Sequence, residues 1–261
     1  MLLEAIRLRS GYDFRGYARN SLTRRILRRL KLAGIETISA MQHKVIHDDH
    51  FLNLLLQDFS INVTQMFRDA SFFKILREDV LRKMTRLPFI KIWHAGCSTG
   101  EEVYSTAILL KEMNLFDKSL IYATDSNIEV VEKAKKGIFP SARMKEYTIS
   151  YQKAGGTESF ADYYAASYDM TIINKALKKN IVFADHNLVT DHTFGEMDMI
   201  MCRNVLIYFT RELQDRVFSL FMESLKPGGF LCLGSKETIR FSKYANRFET
   251  YNKKEKIFVK Q

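Results

Sequence analysis

Residues Ile90–Val103 read IKIWHAGCSTGEEV. An apolar, β-branched run ends in a turn of small residues, Gly96-Cys97-Ser98-Thr99-Gly100, and Glu101 and Glu102 open the helical pattern that follows. A strand feeding a glycine turn and then a helix N-terminus presents backbone N–H groups to a nucleotide-like ligand. This turn matches neither the dinucleotide pattern GxGxxG nor the phosphate loop GxxxxGKS/T. Two carboxylates here repel a phosphate. They suit a ligand that carries positive charge or hydroxyl and amino donors. The same residues also make an ordinary strand–turn–helix, in which Glu sits favourably at the positive end of the helix dipole.

S-adenosylmethionine (SAM) has the required character: adenosine, ribose, an amino acid end and a sulfonium, without phosphate. Downstream residues extend the pattern. Phe89–Trp93 is a strand, Glu101–Met113 a helix, Ser119–Ala123 a second strand ending in Thr124-Asp125, and Ile128–Lys136 a further helix. Strands alternating with helices predict a mostly parallel sheet covered on both faces. Asp125 stands at the end of the second strand, where nucleotide-binding α/β folds place a carboxylate for ribose hydroxyls. It also reads as an N-cap for the helix that follows. From about 139 to 179 the rhythm breaks. Gly155-Gly156 and short aromatic and β-branched runs predict a small antiparallel insertion with a helix before it. It returns with strands at Ile181–Ala184 and Met197–Cys202, a helix capped by Thr210 over Arg211–Leu225, the turn Lys226-Pro227-Gly228-Gly229, a strand at Phe230–Gly234, and a terminal hairpin over Arg247–Val259.

Upstream of Pro88 the chain reads as helical. Leu22, Ile26, Leu30 and Ala33 form an apolar stripe at helical spacing, and Gly34 is placed to end that helix. Arg24, Arg28 and Lys31 fall on another face, with Arg25 and Arg29 beside them. The formal charge is +10, and residues 1–31 hold nine Arg and Lys against only Glu4 and Asp13. Such a concentration predicts an acidic partner or, more blandly, a solvated helix face.

The three cysteines, Cys97, Cys202 and Cys232, form no CxxC pair and no metal-ligand spacing, so reduced thiols and no metal are expected. No apolar run approaches the ~20 residues of a membrane span. The N-terminus MLLEAIRLRSGYDF lacks the apolar region of a signal peptide. A cytoplasmic location without membrane insertion is expected, as is a monomer.

In order, GCSTGEE, ATD, HNL, MCRNVLIYF and LKPGGFLCLGSKE resemble the CheR-type chemotaxis receptor methyltransferases, and SINVTQMFRD (60–69) resembles the segment joining that family's two domains. KPGG is common to many SAM-dependent methyltransferases, whereas SxNxTxxFR with CRNVxIYF is far more specific. The resemblance implies an α/β, Rossmann-like SAM-dependent methyltransferase fold, a doubly wound sheet with an N-terminal helical domain and a small antiparallel β insertion. We place the helical domain with its linker at 1–86, the methyltransferase domain at 87–261, and the insertion at about 146–180.

The resemblance further implies esterification of chemoreceptor glutamates with SAM, leaving S-adenosylhomocysteine. Asn62, Thr64, Arg68, Gly96, Glu102, Asp125, Asn187, Leu188, Arg203 and Asn204 would hold the cofactor, with Asn187 and Leu188 flanking the adenine. Arg68 and Tyr208 would face the substrate, Tyr208 beside the transferred methyl. Taken alone, Arg68 also reads as a helix cap and Tyr208 as a core aromatic. The partner implied is the receptor's glutamate-bearing cytoplasmic helices, facing Arg24, Arg25, Arg28, Arg29 and Lys31. The turn at 165–169 is short and lacks glycines, so no tethering of a receptor tail peptide is expected. No nucleic-acid module with interleaved aromatics is present, and no nucleic-acid partner is expected. Two other readings stay open: a methyltransferase acting on RNA or another protein, and a non-catalytic SAM-binding module.

Overall fold

A computed structural model describes residues 1–59 and 64–261. The chain divides into two compact units, residues 1–61 with 205–217, and residues 62–204 with 218–261.

Among the described residues, the N-terminal part of the first unit comprises α1 (Leu2–Ser10), α2 (Arg19–Ala33), α3 (Ile38–His47) and α4 (Asp49–Phe59). Their shared core includes Ile6, Met41, Val45 and Leu55, all fully buried. In α2 the predicted stripe faces that core, with Leu22 and Leu30 buried and Ile26 and Ala33 packed against it. Gly34 ends the helix in the left-handed region, at φ 62. Thr37 caps α3 by accepting from Ala40 N–H at 3.1 Å. One expectation fails here. Arg25 and Arg29 do not share the exposed face of Arg24, Arg28 and Lys31. Arg25 is 7% exposed and donates to the Phe59 carbonyl, and Arg29 is drawn in by an ion pair with Asp58. Helical spacing puts both inside the arc that packs on α4, where a carbonyl and a carboxylate receive them.

The second unit holds a seven-stranded sheet and a three-stranded one. The large sheet comprises β1 (Ile90–Ala95), β2 (Ser119–Asp125), β6 (Ile181–Asp185), β7 (Met197–Cys202), β8 (Leu225–Leu233), β9 (Phe248–Asn252) and β10 (Ile257–Lys260). The order is β6-β2-β1-β7-β8-β10-β9, parallel through β8 and antiparallel at the terminal hairpin. β8 begins at Leu225, so KPGG enters the strand with a register shift instead of standing before it as a separate turn. Trp93 is fully buried within the sheet and its indole N–H donates to Thr124 Oγ1 at 2.9 Å.

The insertion is a three-stranded antiparallel sheet of β3 (Ile138–Pro140), β4 (Tyr164–Ser167) and β5 (Met170–Ile173), in the order β3-β5-β4. It starts before residue 146, because β3 pairs with β5.

The helical stretch over 70–84 belongs to this second unit, although the sequence reading set the domain change after residue 86. It runs as α5 (Ala70–Ile75), a π-helical turn at Leu76–Val80, and α6 (Leu81–Met84). Phe72, Phe73, Leu76, Val80, Leu81 and Met84 are buried in the same core as β1 and α7 (Glu101–Glu112). Each such side chain contributes roughly 1.5–3 kcal/mol of burial, which outweighs the helical character the stretch shares with the first unit. Among the described residues no helix is long and apolar enough to cross a membrane.

Candidate active site

The large sheet reverses its direction of winding between β1 and β7: β2 and β6 follow on one side, β8 on the other. In open α/β sheets the crevice beyond the carboxyl ends of the strands at such a switch point is where ligands bind. The β1 end leads into Gly96–Gly100, and the β7 end into Arg203 and Asn204.

The glycine turn is strapped to the end of β2. Gly96 and Cys97 N–H both donate to the Thr124 carbonyl at 2.8 Å, and Ser98 N–H donates to Asp125 Oδ2 at 2.9 Å. This path needs left-handed backbone at Gly96 (φ 89) and Gly100 (φ 92). A Cβ on Gly100 would stand 2.9 Å from Ala134 Cβ, on α8 (Ile128–Lys136). Asp125 Oδ1 accepts from Asn127 N–H at 3.1 Å. Each Asp125 oxygen takes one backbone N–H from these two residues, and the Ser126 N–H also stabilises the carboxylate. Burial pushes its pKa up. The N-cap alternative for Asp125 falls away, because Asn127 caps α8 through a 2.9 Å bond from Glu129 N–H.

The adjacent acids take different roles. Glu101 is 3% exposed and turned inward, accepting from Thr99 Oγ1 at 2.6 Å, and burial raises its pKa. Glu102 accepts from His94 Nδ1 at 3.2 Å and from Arg203 Nη1 at 2.8 Å. Burial alone would raise its pKa, but the His94 bond and the Arg203 charge hold it below the ordinary value.

Arg203 is the hub. Its side chain is 1% exposed. Besides Glu102 it binds Asp69 Oδ2 through Nη2 at 2.7 Å and reaches the Arg68 carbonyl at 3.4 Å. Its guanidinium lies 4.0 Å from the centroid of the Phe72 ring. Flanking Arg68, Phe67 (φ 54) and Asp69 (φ 58) are both left-handed, a conformation costly for side-chain-bearing residues that persists only when surroundings impose it. Here Arg203 holds one side. Phe67 holds the other, with a buried ring against Phe73 and Tyr151 and an N–H donated to Ser105 Oγ at 2.9 Å. Arg68 stands two residues before α5, whose N-cap position is Asp69.

Of the other predicted positions, Thr64 accepts at its carbonyl from Arg143 Nη1 at 3.3 Å. Asn187 Oδ1 closes its own turn, accepting from Val189 N–H at 2.9 Å, and Leu188 is buried. Asn204 is left-handed (φ 63), and its N–H donates to Glu237 Oε2 at 3.0 Å. The same oxygen accepts from Gly234 N–H, so one buried carboxylate ties the ends of β7 and β8 together. Asn62 lies outside the described residues. His94, Asp69 and Glu237 were not singled out from sequence, although each lies within a quoted motif: Asp69 and Glu237 meet partners far along the chain, and His94 meets Glu102 only because the strand, turn and helix between them fold back on each other.

Tyr208 belongs to the first unit. It is partly exposed, ends a short 3-10 turn at Leu206–Tyr208, and its carbonyl accepts from Ala18 N–H at 2.7 Å.

The second unit's donor set fits SAM. Asp125 offers acceptors to ribose hydroxyls, and Ser98 Oγ in the turn is buried without a partner among the described residues. Residues 62–257 match the model of the CheR methyltransferase SAM binding domain, and residues 1–60 that of the CheR methyltransferase all-alpha domain. Cher3 of Pseudomonas putida, a provisionally named methyltransferase, is 48% identical over 260 residues, covering 100% of this chain and 95% of that protein. The chemotaxis protein methyltransferase of Borreliella burgdorferi is 34% identical over 202 residues, covering 72% of this chain and 69% of its own. That of Escherichia coli is 28% identical, covering 92% and 83%. SAM is the cofactor of this fold.

Proposed function

The chain belongs to the CheR methyltransferase family, and we propose that it methylates glutamate side chains of chemoreceptors, forming methyl esters in chemotaxis adaptation or related signalling. The observation that carries this reading is the Arg203 clamp, which holds Arg68 in a fixed backbone geometry next to the acids of the glycine turn. The names of the relatives, chemotaxis protein methyltransferases, point the same way.

The chemistry asks little of the protein beyond alignment. A glutamate side chain, with an ordinary pKa of about 4.3, is already a carboxylate at neutral pH and needs no general base. Bound SAM supplies an electrophilic methyl group on a sulfonium. Asp125 and Ser98 would hold the cofactor's polar groups. Arg68 grips the incoming carboxylate and fixes its approach, a function a guanidinium performs bidentately. Holding the partners in line is worth on the order of 7–11 kcal/mol of barrier. The Tyr208 phenol contributes a cation–π or polar contact of roughly 0.5–2 kcal/mol to the positive charge. Exposed Arg24, Arg28 and Lys31 give acidic receptor helices a salt-sensitive docking face. Such a substrate lies in the cytoplasm.

Incubating the protein with radiolabelled SAM and either receptor membranes or RNA tests this reading. Base-labile label on the receptor is the expected result. Label on RNA, or on nothing, overturns it.

A further inference from the structure

Arg25 is the residue of the basic helix that the sequence read as surface and the structure buries. It is 7% exposed. Nη1 donates to the Phe59 carbonyl at the end of α4. Nη2 is buried and has no partner among the described residues. No carboxylate is paired with it among the ion pairs of the described residues. What faces the guanidinium is the Tyr208 ring, whose centroid lies 5.1 Å from Cζ. That is within the ~6 Å reach of a cation–π contact.

The backbone around Tyr208 is held from the same side. Ala18 N–H donates to the Tyr208 carbonyl at 2.7 Å and Thr210 N–H to the Gly16 carbonyl at 2.9 Å, around an antiparallel bridge of Tyr17 with Phe209. The Tyr17 and Phe209 rings meet edge-on at 4.9 Å. Gly16 permits the approach, because a Cβ there would stand 2.9 Å from Leu213 Cδ2. α2 starts one residue after Ala18, and its second turn carries Arg25 to the Tyr208 ring. The main chain of Tyr208 is thus fixed by residues 16–18, and one face of its ring by Arg25.

We propose that Arg25 is a positioning residue for methyl transfer, which orients the Tyr208 ring through its guanidinium. Its action on the reaction runs through the ring it faces, its own Nη2 being buried. A cation is better suited to this position than an apolar side chain because it attracts the ring's negative face and so fixes a tilt, where packing alone fixes only a volume. Burying a guanidinium with no carboxylate in direct contact is costly, and Asp58 offsets that cost only from a distance. An apolar residue here would hold the fold at lower cost, so the cation is matched to the ring it faces.

The proposal rests on the role given to Tyr208 above, and the test separates the two. Methyl transfer from SAM to receptor membranes is measured for the wild type, Arg25→Met, Arg25→Lys, Tyr208→Ala and the double variant Arg25→Met with Tyr208→Ala, with SAM affinity measured by calorimetry. Arg25→Met should lower kcat about thirtyfold, the size of a desolvated cation–π contact. SAM Kd and receptor KM should stay within about twofold of wild type, the change expected when an interaction acts only in the transition state. Arg25→Lys, which keeps a cation, should recover part of the loss and serves as the test should the Met variant not fold. In the Tyr208→Ala background, Arg25→Met should have no further effect on kcat. An inert Arg25→Met beside an impaired Tyr208→Ala overturns the positioning role alone, as does an equal loss in both backgrounds or a parallel loss of SAM affinity. An inert Tyr208→Ala overturns the reading of Tyr208, and the positioning role with it.

Discussion

Arg203 and Glu102, separated by 101 residues of sequence, are joined by a 2.8 Å bond from Nη1 to Oε2. The same guanidinium holds Asp69 at 2.7 Å, so a side chain at the end of β7 links the first turn of α7 to the segment that carries Arg68. Neither acid is left to repel the other, and the two left-handed residues flanking Arg68 are held in place.

Replacing Arg203 with Met should destabilise the fold by about 3 kcal/mol, the lower end for breaking a buried pair, because Glu102 is 18% and Asp69 39% exposed. Urea unfolding measures it. The sign with pH follows from the lowered pKa of Glu102. Its ionisation stabilises the native state above the unfolded value of about 4.3, and that contribution fades as pH falls through the folded-state value. In Arg203→Met the Arg203 charge is gone and burial acts on Glu102 with less opposition, so the acid-side loss of stability should begin at higher pH than in the wild type.

Arg68→Ala should reduce methyl transfer by about 100-fold or more, as expected when an aligning group is lost, while SAM affinity changes much less. Calorimetry and initial rates on the same preparation check it. A loss of affinity equal to the loss of rate would contradict an orienting role.

SAM affinity should fall as pH is lowered, and the fall should begin above the ordinary aspartate range near 3.9. Burial raises the Asp125 pKa, and only the ionised carboxylate keeps all its lone pairs for hydroxyl donors. Asp125→Asn should bind SAM more weakly at neutral pH and show a flatter profile. Titration calorimetry across pH in both proteins decides this.

The insertion is anchored through Glu112, whose side chain is 1% exposed and accepts from Arg77, Tyr151 and, at 2.7 Å, Tyr163. Tyr163→Phe deletes one bond to a buried carboxylate and should cost about 1.5–3 kcal/mol. Denaturant unfolding monitored by circular dichroism gives the value. An unchanged midpoint would mean that Arg77 and Tyr151 satisfy the carboxylate without it.

Gly100→Ala should be destabilising for two reasons, a φ of 92 and a Cβ 2.9 Å from Ala134. Overpacking of this kind costs about 1–3 kcal/mol, and the displaced turn should weaken SAM binding as well. Thermal unfolding with and without SAM separates the two effects.

The sequence by itself determined what local chemistry decides. IKIWHAGCSTGEEV specified a strand, a glycine turn and a helix, since the apolar run and the two glycines are a local signal for that arrangement. The alternation after Pro88 specified the parallel sheet, and Asp125 at the end of β2 was legible from its place after the strand. Tertiary structure decided every residue whose role depends on a partner far along the chain. Helical spacing sets Arg25 beside the apolar stripe, but it could not name the Tyr208 ring as its partner, because that ring comes from a segment nearly two hundred residues away. Nor could it assign the helix over 70–84 to the sheet, because a buried helix and a helix of the other unit have the same period. The acids after the glycine turn show the same division. Their sign, which argues against phosphate, is written in the sequence. That Glu101 points inward while Glu102 meets Arg203 follows only from what the folded chain brings beside each of them.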